Sequence, residues 1–363
     1  MKIFFHVQHL LGIGHLKRAA TLAHALRGAG FEVTLASGGV PVQGIDVLQL
    51  PPASSPDLKQ LLDENGKSVD EAWKARRRDR LIDAFRRFAP DVLMIELFPF
   101  GRRQLRFELL PLLDAAKGKA LIVCSARDLL QPRPAREDEV LECFEHYFDR
   151  LLVHGDPRVA GFERSFGKAA RLGAKVHYTG YVVEDRALET SDTGAGEVLV
   201  SAGGGAVGRR LLEAALEARP LSALRSRPWR ILAGVNFQGL EALQARAGDG
   251  VIVERFRNDF TLRLRNCVLS VSQAGYNTVM ETLQARARAV LVPYAAGGEV
   301  EQTARAKLLE ERGLARVVEE ALLSPVTLAA AIDRAAAAPR PAPDAVDLDG
   351  ARASAALLHR WLR

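Results

Sequence analysis

The stretch VLSVSQAGYNTVMETLQARARAVLVPYAAGGEVEQTARAK, residues 268–307, decides the fold because strand and helix patterns alternate twice along it. Residues 268–272 form a short apolar run that predicts a buried strand. Gly275, a residue that tolerates a positive φ, then predicts a sharp turn into a helix. Residues 289–292 predict a second buried strand, and another helix begins near Glu301. This order predicts part of a parallel α/β sheet.

The helix after Gly275 opens at the carboxyl end of a strand. Such a start presents unpaired backbone N–H groups and a partial positive charge, which suit an anion such as a diphosphate. Thr278 and Glu281 are three residues apart and share one helix face. The sequence therefore predicts an anion site with a hydroxyl and a carboxylate beside it.

The same alternation continues along the whole chain and predicts two doubly wound α/β domains. The predicted parts are an N-terminal domain at 1–183, a polar linker at 184–196, a C-terminal domain at 197–338, and a spacer with a terminal helix at 339–363 that packs back on the first domain.

Composition narrows the class of protein. A chain of 363 residues with 48% hydrophobic and 26% charged residues is typical of a globular protein with two cores. The net charge of +6 comes without interleaved aromatic residues, which are 6% of the chain, so we expect a basic surface and no nucleic-acid partner.

Features that would place the protein outside the cytoplasm are missing from the sequence. The three cysteines are far apart, which predicts buried thiols in a reducing compartment and no metal site. The apolar start is too short for a signal peptide, and no stretch approaches the ~20 apolar residues of a membrane span. We expect a cytoplasmic protein with at most peripheral contact with the inner face of the membrane.

Functional groups of a doubly wound sheet lie at the carboxyl ends of its strands. The side chains expected there in the first domain are His15, Glu96, Asp128 and His154. His15 follows Gly12 and Gly14, which let a ligand approach the backbone. An imidazole in the positive field of a helix start loses its proton readily, which suits a general base.

Two further patterns leave alternatives open. Gly203, Gly205 and Gly208 fit a dinucleotide fingerprint, but the next strand does not end on the acid that would bind a ribose, which disfavours a nicotinamide oxidoreductase. These glycines indicate either a loop close to a phosphate or a tight turn with no ligand. The basic helix at 67–88 is interpreted as a solvated outer face, with an acceptor-binding or membrane-binding surface as the alternative.

Three motifs resemble those of the GT-B glycosyltransferases, most closely the family 28 type, which includes a transferase acting on a lipid-linked peptidoglycan precursor. They are Leu11-Gly12-Ile13-Gly14-His15, Ser201-Ala202-Gly203-Gly204-Gly205, and Gln273-Ala274-Gly275-Tyr276-Asn277-Thr278-Val279-Met280-Glu281 followed by Pro293 and Glu301-Gln302.

The resemblance implies a GT-B fold, with two Rossmann-like domains facing across a cleft. It implies inverting, metal-independent transfer of a sugar from a UDP-linked or other nucleotide-diphosphate sugar, with no other cofactor, to an unknown acceptor that is lipid-linked or anionic. The implied donor-binding residues are Gly14, Gly203, Gly204, Phe256, Gly275, Asn277, Thr278, Glu281, Glu301 and Gln302. The catalytic candidates are His15, Glu96 and Asp128.

Within this donor site, the resemblance implies that Gly275 and Thr278 adjoin the diphosphate and that Glu281 binds the ribose. Glu301 and Gln302 would reach the transferred sugar, and the backbone around Phe256 would face the base. Two other functions fit the same residues: a nucleotide-sugar hydrolase in which His15 activates water, and a non-catalytic nucleotide-sugar-binding module.

Overall fold

Buried strands alternate with helices along the chain, and the structure, a computed structural model, describes residues 1–10, 13–56, 60–184, 191–203, 208–234, 237–295 and 300–363. The chain divides into a first unit, residues 1–184 with 347–363, and a second unit, residues 185–346. Each unit is built around its own parallel sheet. Residues 185–190 of the predicted linker lie outside the described residues.

The first unit contains a sheet in the order β3-β2-β1-β4-β5-β6-β7, in which all pairs are parallel. Its strands are β1 (Lys2–Val7), β2 (Glu32–Ser37), β3 (Leu48–Gln49), β4 (Val92–Glu96), β5 (Leu121–Arg127), β6 (Arg150–His154) and β7 (Val176–Tyr178). The α-helices between them are α1 (Gly14–Gly28), α2 (Glu71–Phe88), α3 (Arg106–Ala116) and α4 (Glu137–Tyr147).

Strand β1 shows why this sheet lies in the middle of its unit. Phe4 packs into the core on one face, and its neighbours Ile3 and Phe5 pack into a separate core on the other face. Successive side chains of a strand point to opposite faces, so a strand that is apolar at every position is stable only when both faces are covered by helices.

The second unit contains a parallel sheet in the order β10-β9-β8-β11-β12-β13. Its strands are β8 (Val198–Ser201), β9 (Trp229–Leu232), β10 (Val251–Glu254), β11 (Leu269–Ser272), β12 (Ala289–Leu291) and β13 (Arg316–Val317). Its α-helices are α5 (Arg209–Ala218), α6 (Leu240–Ala245), α7 (Phe260–Asn266), α8 (Tyr276–Gln284), α9 (Glu301–Glu311) and α10 (Pro325–Ala337). The prediction of two parallel α/β sheets is confirmed.

The C-terminal helix α11 (Gly350–Trp361) belongs to the first unit. Its His359 ring packs 4.3 Å from the ring of Phe31, and Nε2 of His359 lies 3.0 Å from the carbonyl oxygen of Ala29 at the end of α1. A Cβ on Gly350 would lie 2.7 Å from the Tyr181 carbonyl carbon, so the chain needs a glycine where α11 begins.

Two predicted elements differ from the structure at their starts. The basic helix predicted from residue 67 begins at Glu71, because the side chain of Asp70 accepts a hydrogen bond from the backbone N–H of Trp73 and caps the first turn. The apolar pattern at 45–48 also predicts a strand, and the structure reduces it to Leu48–Gln49. The chain turns at Gly44, where φ is +78°, and pairing with β2 begins only at Leu48.

The interpretation of this helix as a solvated face is wrong for Arg77. Its side chain is fully buried and donates two hydrogen bonds, of 2.7 and 2.8 Å, to the carboxylate of Glu108 on α3. It also donates to the carbonyl oxygens of Gly38 and Pro51 and to the side chain of Gln8. The hydrogen bonds of Arg77 therefore hold α2 against the ends of β1 and β2.

Candidate active site

His15 and Glu96 meet at the topological switch point of the first sheet. Strands β1 and β4 are neighbours there, and the connections that follow them leave toward opposite sides, which opens a crevice at their carboxyl ends. Glu96 is the last residue of β4, and His15 lies in the first turn of α1, after β1. Nδ1 of His15 is 2.6 Å from Oε1 of Glu96.

Three cationic or hydrogen-bonding side chains surround the buried carboxylate of Glu96. Besides His15, Arg18 donates a 2.5 Å hydrogen bond from Nη2 to Oε1, and Nη2 of Arg102 lies 3.6 Å from Oε2. Burial alone would raise the pKa of Glu96, but the interactions with His15, Arg18 and Arg102 hold that pKa well below its usual range. Glu96 is therefore an ionised hydrogen-bond acceptor.

This environment fixes the state of His15. Burial lowers the pKa of His15 to about 3, and although the carboxylate of Glu96 opposes that shift, the charges of Arg102 and Arg127 reinforce it. The imidazole is thus neutral near pH 7. An ionised carboxylate only accepts hydrogen bonds, so Nδ1 carries the proton and Nε2 carries a lone pair. A neutral imidazole held in this tautomer can act as a general base.

The other polar groups at this end of the sheet make different contacts. Asp128, the third catalytic candidate, is buried and its Oδ2 accepts a 2.9 Å hydrogen bond from the hydroxyl of Tyr181. Both ring nitrogens of His154 are occupied, by the hydroxyls of Ser125 at 2.8 Å and Thr179 at 2.9 Å. The structure joins His15 with Glu96 and not with Asp128, whose catalytic role stays a prediction.

In the second unit the switch point lies between β8 and β11. The predicted donor loops follow these two strands. Gly203 has a φ of +71°, and a Cβ placed on it would lie 3.9 Å from Oγ1 of Thr278. Gly203, just after β8, is therefore close to the first turn of α8, whereas Gly204 and Gly205 lie outside the described residues.

Gly275 precedes α8, where the sequence predicts the turn. Its φ is −61°, so the turn is made with extended geometry and does not use the positive φ that glycine tolerates. Among the described residues, a Cβ on Gly275 would meet no atom within 4 Å. No side chain caps α8 among the residues that the structure describes. The glycine thus leaves open space in front of backbone N–H groups that can bind an anion.

The remaining donor-site candidates lie on α8, α9 and the segment after β10. Asn277, Thr278 and Glu281 are half-buried on α8. Nη2 of Arg305 donates a 2.6 Å hydrogen bond to Glu301, and the guanidinium of Arg305 packs 5.2 Å from the ring centre of Tyr276.

The side chain of Gln302 accepts a 3.2 Å hydrogen bond from the backbone N–H of Tyr294, and Phe256 is 55% exposed after β10. Gly14 is the first residue of α1, in the other unit. The roles predicted for these residues stay predictions.

Arg18 and Arg102 contact Glu96 in this candidate site, and the sequence did not predict either of them. Arg18 lies three residues after His15 and shares its helix face, a spacing that could have identified it. Arg102 gave no such signal, because its side chain is directed by a left-handed backbone conformation with a φ of +61°. Within the described ranges, no group of three or more metal-ligating side chains is close enough to hold an ion.

Two parallel sheets in successive units, each with candidate residues at its switch point, are the architecture of a GT-B glycosyltransferase. The solved structures agree with this fold. The chain is similar to the glycotransferase of kitacinnamycin (TM-score 0.68, 16% identity, covering 100% of this chain and 99% of that one). It is also similar to MurG of Acinetobacter baumannii (TM-score 0.64, 16% identity, covering 99% and 100%).

A third similar structure is the spinosyn rhamnosyltransferase SpnG complexed with thymidine diphosphate (TM-score 0.64, 16% identity, covering 100% of both chains). Residues 198–354 match the family model for the glycosyltransferase family 28 C-terminal domain. The chain is therefore a GT-B glycosyltransferase with a family 28-type C-terminal domain. This confirms the predicted fold, the resemblance and the class of enzyme.

Proposed function

We propose that the protein transfers a sugar from a nucleotide-diphosphate sugar to an acceptor hydroxyl, with His15 as the general base. The observation that carries this proposal is the 2.6 Å contact between Nδ1 of His15 and Glu96. It leaves Nε2 of a neutral imidazole to accept the acceptor's proton. Glu96 then stabilises the imidazolium that forms, because an ionised carboxylate already lies against its Nδ1–H.

The proposed binding of the nucleotide-diphosphate sugar rests on the backbone N–H groups at the start of α8. Departure of a nucleoside diphosphate leaves negative charge on its phosphate oxygens, and preorganised N–H groups stabilise that charge without a metal ion. The open space at Gly275 and the adjacent Gly203 and Thr278 suit a diphosphate. The family resemblance implies a UDP-linked or other nucleotide-diphosphate sugar, and the thymidine diphosphate bound to SpnG supports a pyrimidine nucleotide.

Inversion of the anomeric configuration follows from direct attack by the deprotonated acceptor. The deprotonated acceptor oxygen attacks the anomeric carbon from the face opposite the departing diphosphate, the new C–O bond forms as the old one breaks, and the configuration reverses. His15 holds the proton afterwards. No covalent intermediate on the protein is needed in this single displacement.

The acceptor is proposed to be anionic, and a lipid-linked acceptor would bring the protein to a membrane surface. Exposed arginines on α2, such as Arg76, Arg80 and Arg86, support contact with an anionic surface. Of the helices in the described ranges, none combines the length and the apolar character needed to cross a membrane.

The test begins with donor binding and sugar release. Thermal shift against nucleoside diphosphates and their sugars should identify a nucleotide that stabilises the protein. His15→Gln should then lower turnover about 10²–10⁴-fold with little change in donor affinity. His24→Gln, at an exposed position of the same helix, is the matched control.

The test also separates transfer from hydrolysis, because water could take the place of the acceptor at His15. Sugar release in water as fast as turnover with any acceptor preparation would favour the nucleotide-sugar hydrolase. Unchanged turnover in His15→Gln would remove His15 from the mechanism of either reaction.

A further inference from the structure

Arg102 is largely buried, yet in the described part of the chain its Nε has no acceptor and its Nη2 makes only a 3.6 Å ion pair with Glu96. The side chain is only 10% exposed. Its contact with Glu96, at 3.6 Å, is an ion pair too long for a hydrogen bond. Buried guanidinium groups are ordinarily hydrogen-bonded, so these two donors indicate a missing partner.

The two donors have the geometry of a fork. Nε–H and one N–H of Nη2 lie on the same edge of the guanidinium plane and point in parallel. This arrangement matches two oxygens of a carboxylate or a phosphate, which is the commonest way in which arginine binds such anions.

The surrounding charge also favours an anion. Glu96 is the carboxylate whose charge stabilises protonated Arg102, whereas Arg18 and Arg127 oppose it, and burial together with those two charges lowers the pKa of Arg102. The positive charges of Arg18 and Arg127 therefore repel that of Arg102, and Glu96 is the carboxylate that opposes this repulsion. An added anion would offset the excess positive charge.

The backbone of Arg102 is held in a conformation that its side chain does not favour. Its φ of +61° lies in the left-handed region, where glycine is common and arginine is not. Arginine is strained at such a position and glycine would not be, which points to a role for the side chain.

A second buried atom lies within the field of Arg102. Nε2 of His9 lies 3.0 Å from the carbonyl oxygen of Val40 and so carries the proton, which makes Nδ1 an acceptor. In the described part of the chain Nδ1 has no hydrogen-bond partner, although His9 is 4% exposed. Burial and the charge of Arg102 both lower the pKa of His9, so Nδ1 of this ring stays an acceptor within the range of the Arg102 charge.

We propose that Arg102 is the anchor of an anion-binding subsite that holds a carboxylate or phosphate group of the acceptor beside the hydroxyl that His15 deprotonates. This rests on the proposed function of His15 and narrows the acceptor to a molecule with an acidic group near its reacting hydroxyl. Arg102 binds and orients that group, and the glycosyl bond forms at the neighbouring oxygen.

The first experiment titrates the protein with inorganic phosphate, and separately with acetate, at constant ionic strength. The imidazole NMR signals of His15 and His9 report binding in protein labelled at histidine. We expect saturable shifts of both signals, and the stronger of the two anions indicates whether the acceptor carries a phosphate or a carboxylate. Absence of any saturable shift with either anion would overturn the proposal.

The decisive variants are Arg102→Gly and Arg102→Gln. Arg102→Gly keeps the left-handed backbone without strain, so the fold persists when the guanidinium is removed. Both variants should weaken the anion-dependent shift of His15 about tenfold or more. The control is Arg103→Gln, because Arg103 is exposed and lies 3.4 Å from Glu139, away from Glu96. An unchanged dissociation constant in Arg102→Gly would overturn the proposal.

This titration needs neither donor nor turnover, so its result is independent of whether sugar transfer is found. Once an acceptor is in hand, Arg102→Gly should raise KM for that acceptor about tenfold or more, with KM for the donor unchanged. An equal rise in both KM values would show a general structural effect and would contradict the subsite.

Discussion

Nδ1 of His15 lies 2.6 Å from Oε1 of Glu96, although 81 residues separate them in the chain. The pair forms because β1 and β4 are neighbours in the first sheet, with Ile95, the residue before Glu96, paired to His6 near the end of β1. Glu96 is also bonded to Arg18, so the carboxylate stays in place whether or not the imidazole is protonated. His15 is therefore held in one tautomer, with the proton on Nδ1 and a lone pair on Nε2.

Replacing Glu96 by glutamine should impair turnover more than binding. Glutamine keeps the shape but removes the charge that stabilises the imidazolium, and its amide can turn toward Nδ1 and favour the wrong tautomer. We expect kcat to fall about 10–100-fold with donor KM unchanged. Steady-state kinetics measure this. A change confined to donor KM would place Glu96 outside the catalytic step.

The ionisation of His15 gives a second prediction. Its pKa is lowered to about 3, so the base stays neutral as pH falls from 8 to 5 and loses activity only when it is protonated at lower pH. NMR titration of the His15 ring should show no protonation near pH 6.5. A His15 titration midpoint above about 6 would contradict the proposed state of the base.

Buried histidine should also make the fold sensitive to acid. Burial lowers the pKa of His154 to about 3, from an ordinary value of 6.5. Between these values the unfolded chain binds a proton that the native state does not. The free energy of unfolding therefore falls as pH falls from 6.5 toward 3, by about 1.4 kcal/mol per pH unit for this group.

Denaturant unfolding between pH 4.5 and 7.5 checks this dependence. His154→Gln should reduce the slope of unfolding free energy against pH by one proton, and His24→Gln should leave it unchanged. Equal slopes in the wild type and His154→Gln would show that His154 is not neutral in the native state.

Replacing Gly275 should weaken diphosphate binding without lowering the stability of the fold. The φ of Gly275 is negative and a Cβ would lie within 4 Å of no atom in the ranges that the structure describes, so Gly275→Ala should leave stability unchanged or raise it by up to about 1 kcal/mol. The methyl group would enter the space in front of α8, so affinity for a nucleoside diphosphate should fall.

Gly208→Ala is the contrasting variant for Gly275→Ala. Gly208 has a φ of +110°, and its Cβ would lie 2.6 Å from Cβ of Ala202, so this change should destabilise the fold by roughly 1–2 kcal/mol or more. Calorimetric titration and thermal unfolding measure both variants. Unweakened diphosphate binding in Gly275→Ala would move the anion site away from α8.

The sequence predicted the sheets well because apolar runs and glycine turns are local signals. Glu96 could be placed at a strand end, but its partner depended on the order of strands, which brings β4 beside β1 and not beside β3. Arg102 was missed because one left-handed residue decides where its side chain points. Arg77 was misjudged because it is one arginine in a run of three, and only the packing of α2 on α3 distinguishes it from Arg76 and Arg78.

Arg77 gives the last prediction, which concerns stability. Its removal in Arg77→Met leaves the buried carboxylate of Glu108 without its cation, and the ionised state of Glu108 depends on that cation. Burial by itself would raise the pKa of Glu108, but Arg77 and His6 lower it to about 2. We expect Arg77→Met to reduce the free energy of unfolding by about 3–5 kcal/mol. Arg76→Met, at the exposed neighbouring position, should change it by less than about 0.5 kcal/mol.

The double variant Arg77→Met with Glu108→Met tests the cause of that loss. If the penalty arises from an uncompensated buried charge, removing both charges should restore part of the stability lost in Arg77→Met. Denaturant unfolding of the two single variants and the double variant measures the coupling. Additive losses would mean that the hydrogen bonds from Arg77 to Gly38, Pro51 and Gln8 contribute more than its ion pair with Glu108.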